Sequence, residues 1–199
     1  SSLAGILNAL TPIFTFIVGA LFFGTEKRIN QIFGLILGIF GSVLLIVVGS
    51  SGEIGEINYF SLFVVLATLF YGISANIVKR FFQDVHPIAL TSLAFMTLIP
   101  ISIIILITTD TLSVLQNNES AYESLFFLFI LGVVGTAFAL ILFNKVIQTT
   151  SAVFASTVTY LIPIVAVMWG VIDNEPIFLI HIIGMIVIIV GIYFVNYKK

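Results

Sequence analysis

The sequence predicts an all-α membrane protein, a polytopic bundle of seven transmembrane helices. Three observations lead to this class. The 199-residue chain is 60% hydrophobic and only 8% charged, whereas soluble domains carry roughly 25% charged residues. Seven apolar segments are each long enough to cross a hydrocarbon core, which takes about 20 helical residues. The basic residues all fall on one side of the membrane that seven crossings define.

The seven segments contain no Asp, Glu, Lys or Arg. They are Leu3–Gly24, Asn30–Gly49, Ile57–Val78, Ile88–Thr109, Ser124–Asn144, Val146–Ile172 and Ile177–Tyr197. They are long and do not alternate apolar with polar residues, which argues against a transmembrane barrel. The fifth and sixth segments are nearly continuous, so a tight turn is predicted around Lys145–Ser151.

The charged residues predict the orientation. The turns after the first, third, fifth and seventh segments hold every basic residue: Lys27, Arg28, Lys79, Arg80, Lys145, Lys198 and Lys199. The turns after the second, fourth and sixth segments hold acidic residues and no basic ones. Short loops rich in Lys and Arg stay cytoplasmic. We therefore expect a multi-pass protein of the plasma (cytoplasmic) membrane with its C-terminus in the cytoplasm.

The first segment recurs near the end of the chain. Shifted by 151 residues, Pro12 meets Pro163 and Gly19 meets Gly170; shifted by 150, Gly34 meets Gly184. The period spans five helices, an odd number, so equivalent helices must cross the membrane in opposite directions. This is an inverted-topology repeat, a common construction of secondary transporters.

The period also divides the chain into domains. Residues 1–50 hold the last two helices of a first repeat, and residues 57–199 hold a complete second repeat of five helices. The first three helices of the first repeat are missing, so we expect the chain to be a fragment of a ten-helix protein.

At these residues the sequence resembles the drug/metabolite transporter superfamily, the EamA-type carriers of ten helices. The pattern is a Leu-x-Pro, a Gly, a Glu at a short turn, and two glycines seven residues apart. It occurs twice, first as Leu10-Thr11-Pro12, Gly19, Glu26, Gly34 and Gly41, and then as Leu161-Ile162-Pro163, Gly170, Glu175, Gly184 and Gly191. The chain would correspond to helices four to ten. The resemblance implies a carrier that exports or exchanges small metabolites or amphipathic compounds by alternating access.

Two polar faces are candidates for a substrate cavity. Helical spacing places Asn8, Thr11 and Thr15 on one face of the first helix. The sixth helix carries Ser156, Thr159 and Tyr160. Two further candidates are Tyr71 on the third helix, with a hydroxyl and an aromatic face, and Thr136 on the fifth. The alternative for each hydroxyl is that it bonds to a neighbouring helix and only stabilises packing.

Proline and glycine have separate roles in the prediction. Pro12 and Pro163 each remove a backbone hydrogen bond, so they are candidate bending points or static kinks. Small residues at helix interfaces let backbones approach closely. The glycines predicted to do so are Gly34, Gly38, Gly41, Gly184 and Gly191.

The composition also excludes functions. Without cysteine no thiol chemistry or thiolate metal site is possible, and without a basic patch no nucleic-acid binding is expected. We expect no cofactor and no metal. Since these segments hold no carboxylate, an intramembrane enzyme is disfavoured, and a proton relay would have to lie outside them.

Neutral, zwitterionic or amphipathic small-molecule cargo is favoured; the other partner is the lipid bilayer. A homodimer and a non-transporting membrane scaffold or complex subunit both remain open.

Overall fold

The computed structural model describes residues 7–26, 28–49, 59–109, 121–172 and 178–197, and every regular element in these ranges is helical. The helices, numbered in chain order, are α1 Thr11–Phe22, α2 Ile29–Gly49, α3 Tyr59–Phe81, α4 Pro87–Thr108, α5 Ala121–Thr149, α6 from Ala152 to Ile172, and α7 Leu179–Asn196. The predicted all-α class is confirmed.

Six of these helices, α2 to α7, are long and apolar enough to cross a membrane. The polytopic membrane architecture is therefore confirmed. Helix α1 has 12 residues, and the beginning of the segment predicted there, residues 3–6, lies outside the described residues. The tight turn predicted between the fifth and sixth segments is present, because α5 ends at Thr149 and α6 begins at Ala152. In it, the Ser151 hydroxyl accepts a 3.1 Å hydrogen bond from the Phe154 N–H and so caps α6.

The chain forms two compact units. The first comprises Ser1–Phe81 and Ile147–Lys199 and contains α1, α2, α3, α6 and α7. Apolar side chains from α2, α6 and α7, together with Ala9, form its buried core: Ala9, Leu35, Leu45, Val153, Tyr160, Ile188 and Val195. The second unit, Phe82–Val146, contains α4 and most of α5.

Glycines bring α2 and α7 into backbone contact. A Cβ atom at Gly34 would lie 2.5 Å from the carbonyl oxygen of Gly191, and one at Gly41 would lie 2.9 Å from the carbonyl oxygen of Gly184. Contacts this close exclude any side chain at Gly34. Residue numbers rise along α2 as they fall along α7, so the two helices run antiparallel.

Helix α1 packs against α3 in the same backbone-to-backbone manner. A Cβ atom at Gly72 of α3 would lie 2.8 Å from the backbone nitrogen of Thr15. The side-chain amide of Asn76 bridges the two helices, because its Nδ2 donates to the Thr15 carbonyl at 2.9 Å and to the Gly72 carbonyl at 2.8 Å. In an apolar setting an amide that uses both N–H bonds in this way is fully occupied as a donor.

Helix α6 changes its winding next to its proline. It is α-helical over Ala152–Ser156, a tighter 3₁₀-helix over Thr157–Leu161, and α-helical again over Ile162–Ile172. Pro163 has no N–H to offer the Thr159 carbonyl, four residues earlier. That carbonyl instead accepts from the Ile162 N–H, a bond across three residues that tightens the turn.

In the second unit a buried hydrogen bond joins α4 and α5. The Asn144 side-chain amide donates to the Thr91 hydroxyl at 3.1 Å, and Thr91 is buried. Within α5, Leu131–Phe138 form a π-helix, which is wider than an α-helix. Most large apolar side chains of α4 and α5 are exposed, so in a bilayer lipid or another protein segment must cover them.

Candidate functional site

The predicted cavity face of α1 is largely buried. Thr11, Pro12 and Thr15 are buried, whereas Asn8, just before the helix, is exposed. Pro12 cannot donate to the Asn8 carbonyl, and the Thr11 hydroxyl takes its place with a 2.7 Å hydrogen bond to that oxygen. The Thr15 hydroxyl donates to the Thr11 carbonyl at 2.8 Å. Both hydroxyl protons are therefore donated to backbone carbonyls, one in α1 and one just before it.

The polar residues of α6 also bond to their own helix. Ser156 is buried, and its hydroxyl donates to the Val153 carbonyl at 2.8 Å. Thr159 is partly buried and donates to the Ser156 carbonyl at 3.0 Å. A hydroxyl that donates to its own backbone keeps its lone pairs. These hydroxyl oxygens can therefore accept a further hydrogen bond, whereas their protons are already used.

Tyr160 is the largest fully buried side chain of the described residues. Its hydroxyl donates to the Leu35 carbonyl of α2 at 3.2 Å. Its ring lies directly over Gly38, where a Cβ atom would overlap the ring carbons. The structure therefore places Tyr160 between two helices, in contact with a glycine that makes room for it.

The structure brings together only some of the predicted cavity residues. Helix α1 packs against the beginning of α6, so Thr11, Thr15 and Ser156 lie on helices in contact. Tyr71 on α3 is 58% exposed. Thr136 is exposed and belongs to the second unit, where its hydroxyl donates to the Leu131 carbonyl at 3.1 Å. That bond reaches back five residues, the same separation as the backbone hydrogen bonds of a π-helix.

Asn76 was not selected as a site residue from the sequence, yet it makes the main polar contact between α1 and α3. It is 3% exposed, and the neighbouring Thr68, Gly72 and Ala75 are buried with it. At 100° per residue these four positions form one helical face, and Tyr71 lies at its edge. The spacing of small and polar residues at positions 68, 72, 75 and 76 indicates this face in the sequence, although only Tyr71 was chosen from it as a cavity candidate.

A polar cavity lies at the end of the first unit where α1, α5 and α7 end. It has a volume of about 340 Å³. Its lining includes hydroxyl groups, amides and one ion pair: Thr25, Glu26, Arg28, Gln31, Ser151 and Asn196. Arg28 Nε donates to Glu26 Oε2 at 3.0 Å, and Arg28 Nη2 contacts the same oxygen.

A second cavity is mostly apolar. It has a volume of about 430 Å³ and is lined by Phe154, Ile189, Ile192 and Tyr193 together with the end of α7. Within the described ranges, no three His, Asp or Glu side chains converge on a point where they could hold a metal ion. The candidate chemistry of the described residues is therefore binding through hydrogen bonds, one ion pair and apolar contact.

Two comparisons with known proteins both indicate a transporter. A family model described as the EamA-like transporter family matches residues 59–197. A protein of Archaeoglobus fulgidus, described as an uncharacterized transporter, is 26% identical over 205 residues; the match covers 100% of this chain and 69% of that protein. No solved structure gives a significant match.

Proposed function

This chain belongs to the EamA-like transporter family, and from that premise we propose that it is part of a secondary-active carrier for small metabolites or amphipathic compounds. The proposed cargo is amino-acid-like or drug-like, the proposed direction is export, and the proposed mechanism is alternating access. The carrier would lie in the plasma membrane with its C-terminus in the cytoplasm, and a homodimer is compatible with this proposal.

The pairing of α2 with α7 carries the proposal. These are equivalent helices at an offset of 150 residues, and Gly34 contacts Gly191 while Gly41 contacts Gly184. At this offset Gly34 is equivalent to Gly184, and Gly41 is equivalent to Gly191. Exchanging the two helices about a two-fold axis therefore turns the first contact into the second, as such an axis requires. This supports an inverted repeat with residues 1–50 in one half and 57–199 in the other. Inverted repeats commonly place the cargo site at the repeat interface.

Within that arrangement, the proposed cargo face consists of Thr11 and Thr15 of α1 and Ser156 and Thr159 of α6. It lies beside both prolines: Pro12 is in the first turn of α1, and Pro163 follows the 3₁₀ segment of α6. Tyr160 and the glycines of α2 and α7 would form the packed support behind it. Asn8, Tyr71 and Thr136 would belong to the site only if other segments enclose them.

The alternative function is a non-transporting membrane scaffold or complex subunit. It is favoured by the observation that the hydroxyls of Thr15, Ser156 and Thr159 all bond to their own helices. A scaffold needs such satisfied side chains and close glycine contacts, and it needs no cargo. An enzymatic role has no cluster of catalytic side chains to support it among the described residues.

Counterflow in proteoliposomes tests the proposal. The full-length protein would be reconstituted and challenged with labelled neutral, zwitterionic and amphipathic solutes. Thr15→Val and Ser156→Ala should reduce uptake of the accepted solute about tenfold, because each removes an acceptor from the cargo face. Thr97→Val is the matched control, since its exposed hydroxyl makes the same kind of bond, to the Ala94 carbonyl at 2.7 Å. No counterflow with any solute class would favour the scaffold, and equal losses in all three variants would remove the proposed face.

A further inference from the structure

The mostly apolar cavity between the beginning of α6 and the end of α7 is a groove on the surface of the first unit. It has a volume of about 430 Å³, and α6 contributes the ring of Phe154 to it. The lining residues of α7 and its end are Ile189, Ile192, Tyr193, Asn196 and Tyr197. These five positions lie at i, i+3, i+4, i+7 and i+8, so they share one helical face. Three of them, Ile189 and the two tyrosines, have exposed side chains.

The groove changes from apolar to polar along α7. Ile189 and Ile192 present only hydrocarbon, whereas the two tyrosines each carry a hydroxyl and Asn196 carries an amide. At 1.5 Å per residue, Ile189 and Tyr197 lie about 12 Å apart along the helix axis. The rings of Tyr193 and Tyr197 are 5.7 Å from each other at the polar end, and tyrosines at such positions lie at the level of the lipid headgroups. This order matches an amphiphile whose hydrocarbon lies deeper in the membrane than its polar group.

The sequence at the polar end of the groove is basic. Lys198 and Lys199 follow Tyr197 directly, and none of the six lining residues is acidic. The last turn of α7 does not itself attract an anion, because the carbonyl end of a helix carries partial negative charge. Lysine near a membrane surface attracts anionic lipid. The two lysines are therefore the groups that would favour a negatively charged headgroup, and both are on the predicted cytoplasmic side.

We propose that this groove binds an anionic phospholipid of the cytoplasmic leaflet. An acyl chain packs against Phe154, Ile189 and Ile192, and the phosphate lies beside Tyr197 and the two lysines that follow it. The apolar part accepts the chain of any phospholipid and supplies affinity without selectivity, whereas the lysines supply the preference for negative charge. The site is separate from the proposed cargo face, and it does not depend on whether the protein transports a solute.

Photocrosslinking in lipid nanodiscs tests the site. Photoreactive benzoylphenylalanine replaces Phe154 in the full-length protein, which is placed in a bilayer of equal parts phosphatidylcholine and phosphatidylglycerol. Mass spectrometry then counts the lipids attached after illumination. We expect phosphatidylglycerol to exceed phosphatidylcholine at least about fivefold, the effect of one lysine near a membrane surface. Equal attachment of the two lipids, or attachment of neither, would overturn the proposal.

Phe81 provides the matched control position. It is an exposed phenylalanine that directly follows two basic residues, Lys79 and Arg80, on the same predicted side of the membrane. It is outside the lining of the groove, so benzoylphenylalanine at this position reports basic sequence without the groove. The excess of phosphatidylglycerol should be smaller there. An excess as large as that at Phe154 would make the preference a general property of the basic surface and contradict the site.

Variants separate the charge from the groove. Lys198→Gln combined with Lys199→Gln should abolish the excess of phosphatidylglycerol at Phe154 while total lipid attachment persists. Ile189→Trp fills the apolar part and should reduce attachment of both lipids. Its matched control is Ile183→Trp, at an exposed isoleucine about 120° around the same helix and outside the lining, which should leave attachment unchanged.

The midpoint of thermal unfolding is measured for every variant, so that a loss of attachment with an unchanged midpoint is assigned to the groove. An excess of phosphatidylglycerol that survives removal of both lysines would contradict the role of charge. Equal attachment in the Ile189→Trp and Ile183→Trp variants would contradict the role of the groove.

Discussion

Helices α1 and α6 occupy equivalent positions in the sequence repeat, yet they accommodate their prolines differently. In α1 the carbonyl that Pro12 leaves without a partner, that of Asn8, accepts from the Thr11 hydroxyl. In α6 the corresponding carbonyl, that of Thr159, accepts from the Ile162 N–H. Thr11 and Ile162 are equivalent residues. The hydroxyl donor is therefore present in one repeat only, and in the other a backbone N–H three residues later bonds to the corresponding carbonyl.

The two helices also differ in how they contact their neighbours. Helix α1 receives a hydrogen bond from Asn76 of α3 and lies against Gly72 with its backbone. Helix α6 gives a hydrogen bond from Tyr160 to α2 and lies against Gly38 with an aromatic ring. In both cases the neighbour supplies a glycine. Two helices at equivalent positions can therefore pack against their neighbours through different side chains, provided that a glycine of the neighbouring helix makes room.

The largest expected effect comes from filling those two spaces. Gly72→Ala places a Cβ atom 2.8 Å from the backbone nitrogen of Thr15, so whole helices must move apart. We expect a loss of about 3 kcal/mol in the free energy of unfolding, and about 1–3 kcal/mol for Gly38→Ala, where the Tyr160 ring must shift. Unfolding by a denaturing detergent, followed by circular dichroism, measures both losses.

Gly132→Ala is the control for these glycine variants, because nothing lies within 4 Å of a Cβ atom there. It should stabilise the protein by no more than about 1 kcal/mol, because a helix intrinsically favours alanine over glycine by about that amount. If Gly38→Ala costs more than Gly72→Ala, the distinction between backbone contact and ring contact is wrong.

A smaller effect compares the two hydrogen bonds that join the helices. Asn76→Leu removes both bonds of the amide and should cost about 1–2 kcal/mol, near the upper end for polar contacts in membranes. Tyr160→Phe keeps the ring over Gly38 and removes only the 3.2 Å bond to Leu35, so it should cost about 0.6 kcal/mol. The same unfolding measurement ranks the two variants. Equal costs would show that the amide contributes no more than the single phenol bond.

A double-mutant cycle in α1 tests the proline comparison directly. Thr11→Val leaves the Asn8 carbonyl without its partner and should cost about 1 kcal/mol. In a Pro12→Ala background an N–H is restored to that carbonyl, so Thr11→Val should cost almost nothing there. The double-mutant cycle of unfolding free energies isolates this coupling.

Ile162→Thr is the matched control in the other repeat. The Thr159 carbonyl already accepts the Ile162 N–H, so an added hydroxyl should stabilise α6 by less than about 0.5 kcal/mol. A gain comparable to the loss in Thr11→Val would contradict the view that the 3₁₀ turn already compensates for Pro163.

The helices could be predicted from the sequence because length and apolarity alone determine which segments can cross a bilayer. The prediction extended to the turn before Ala152. It could not include the internal changes of winding, in Leu131–Phe138 and Thr157–Leu161, because these depend on which neighbouring groups replace the displaced backbone bonds. The candidate cargo residues stay a prediction, and the structure distributes them between buried and exposed positions.

The sequence by itself determined the class of the protein and its family resemblance, and it predicted a repeat, since these follow from residue type and spacing along one chain. Only the tertiary structure decided which glycine faces which partner, that Asn76 joins α3 to α1, and that Glu26 and Arg28 line a cavity with residues more than a hundred positions away. The physical reason is the same in each case. Spacing specifies the face on which a residue lies, whereas its contacts depend on how closely two backbones can approach.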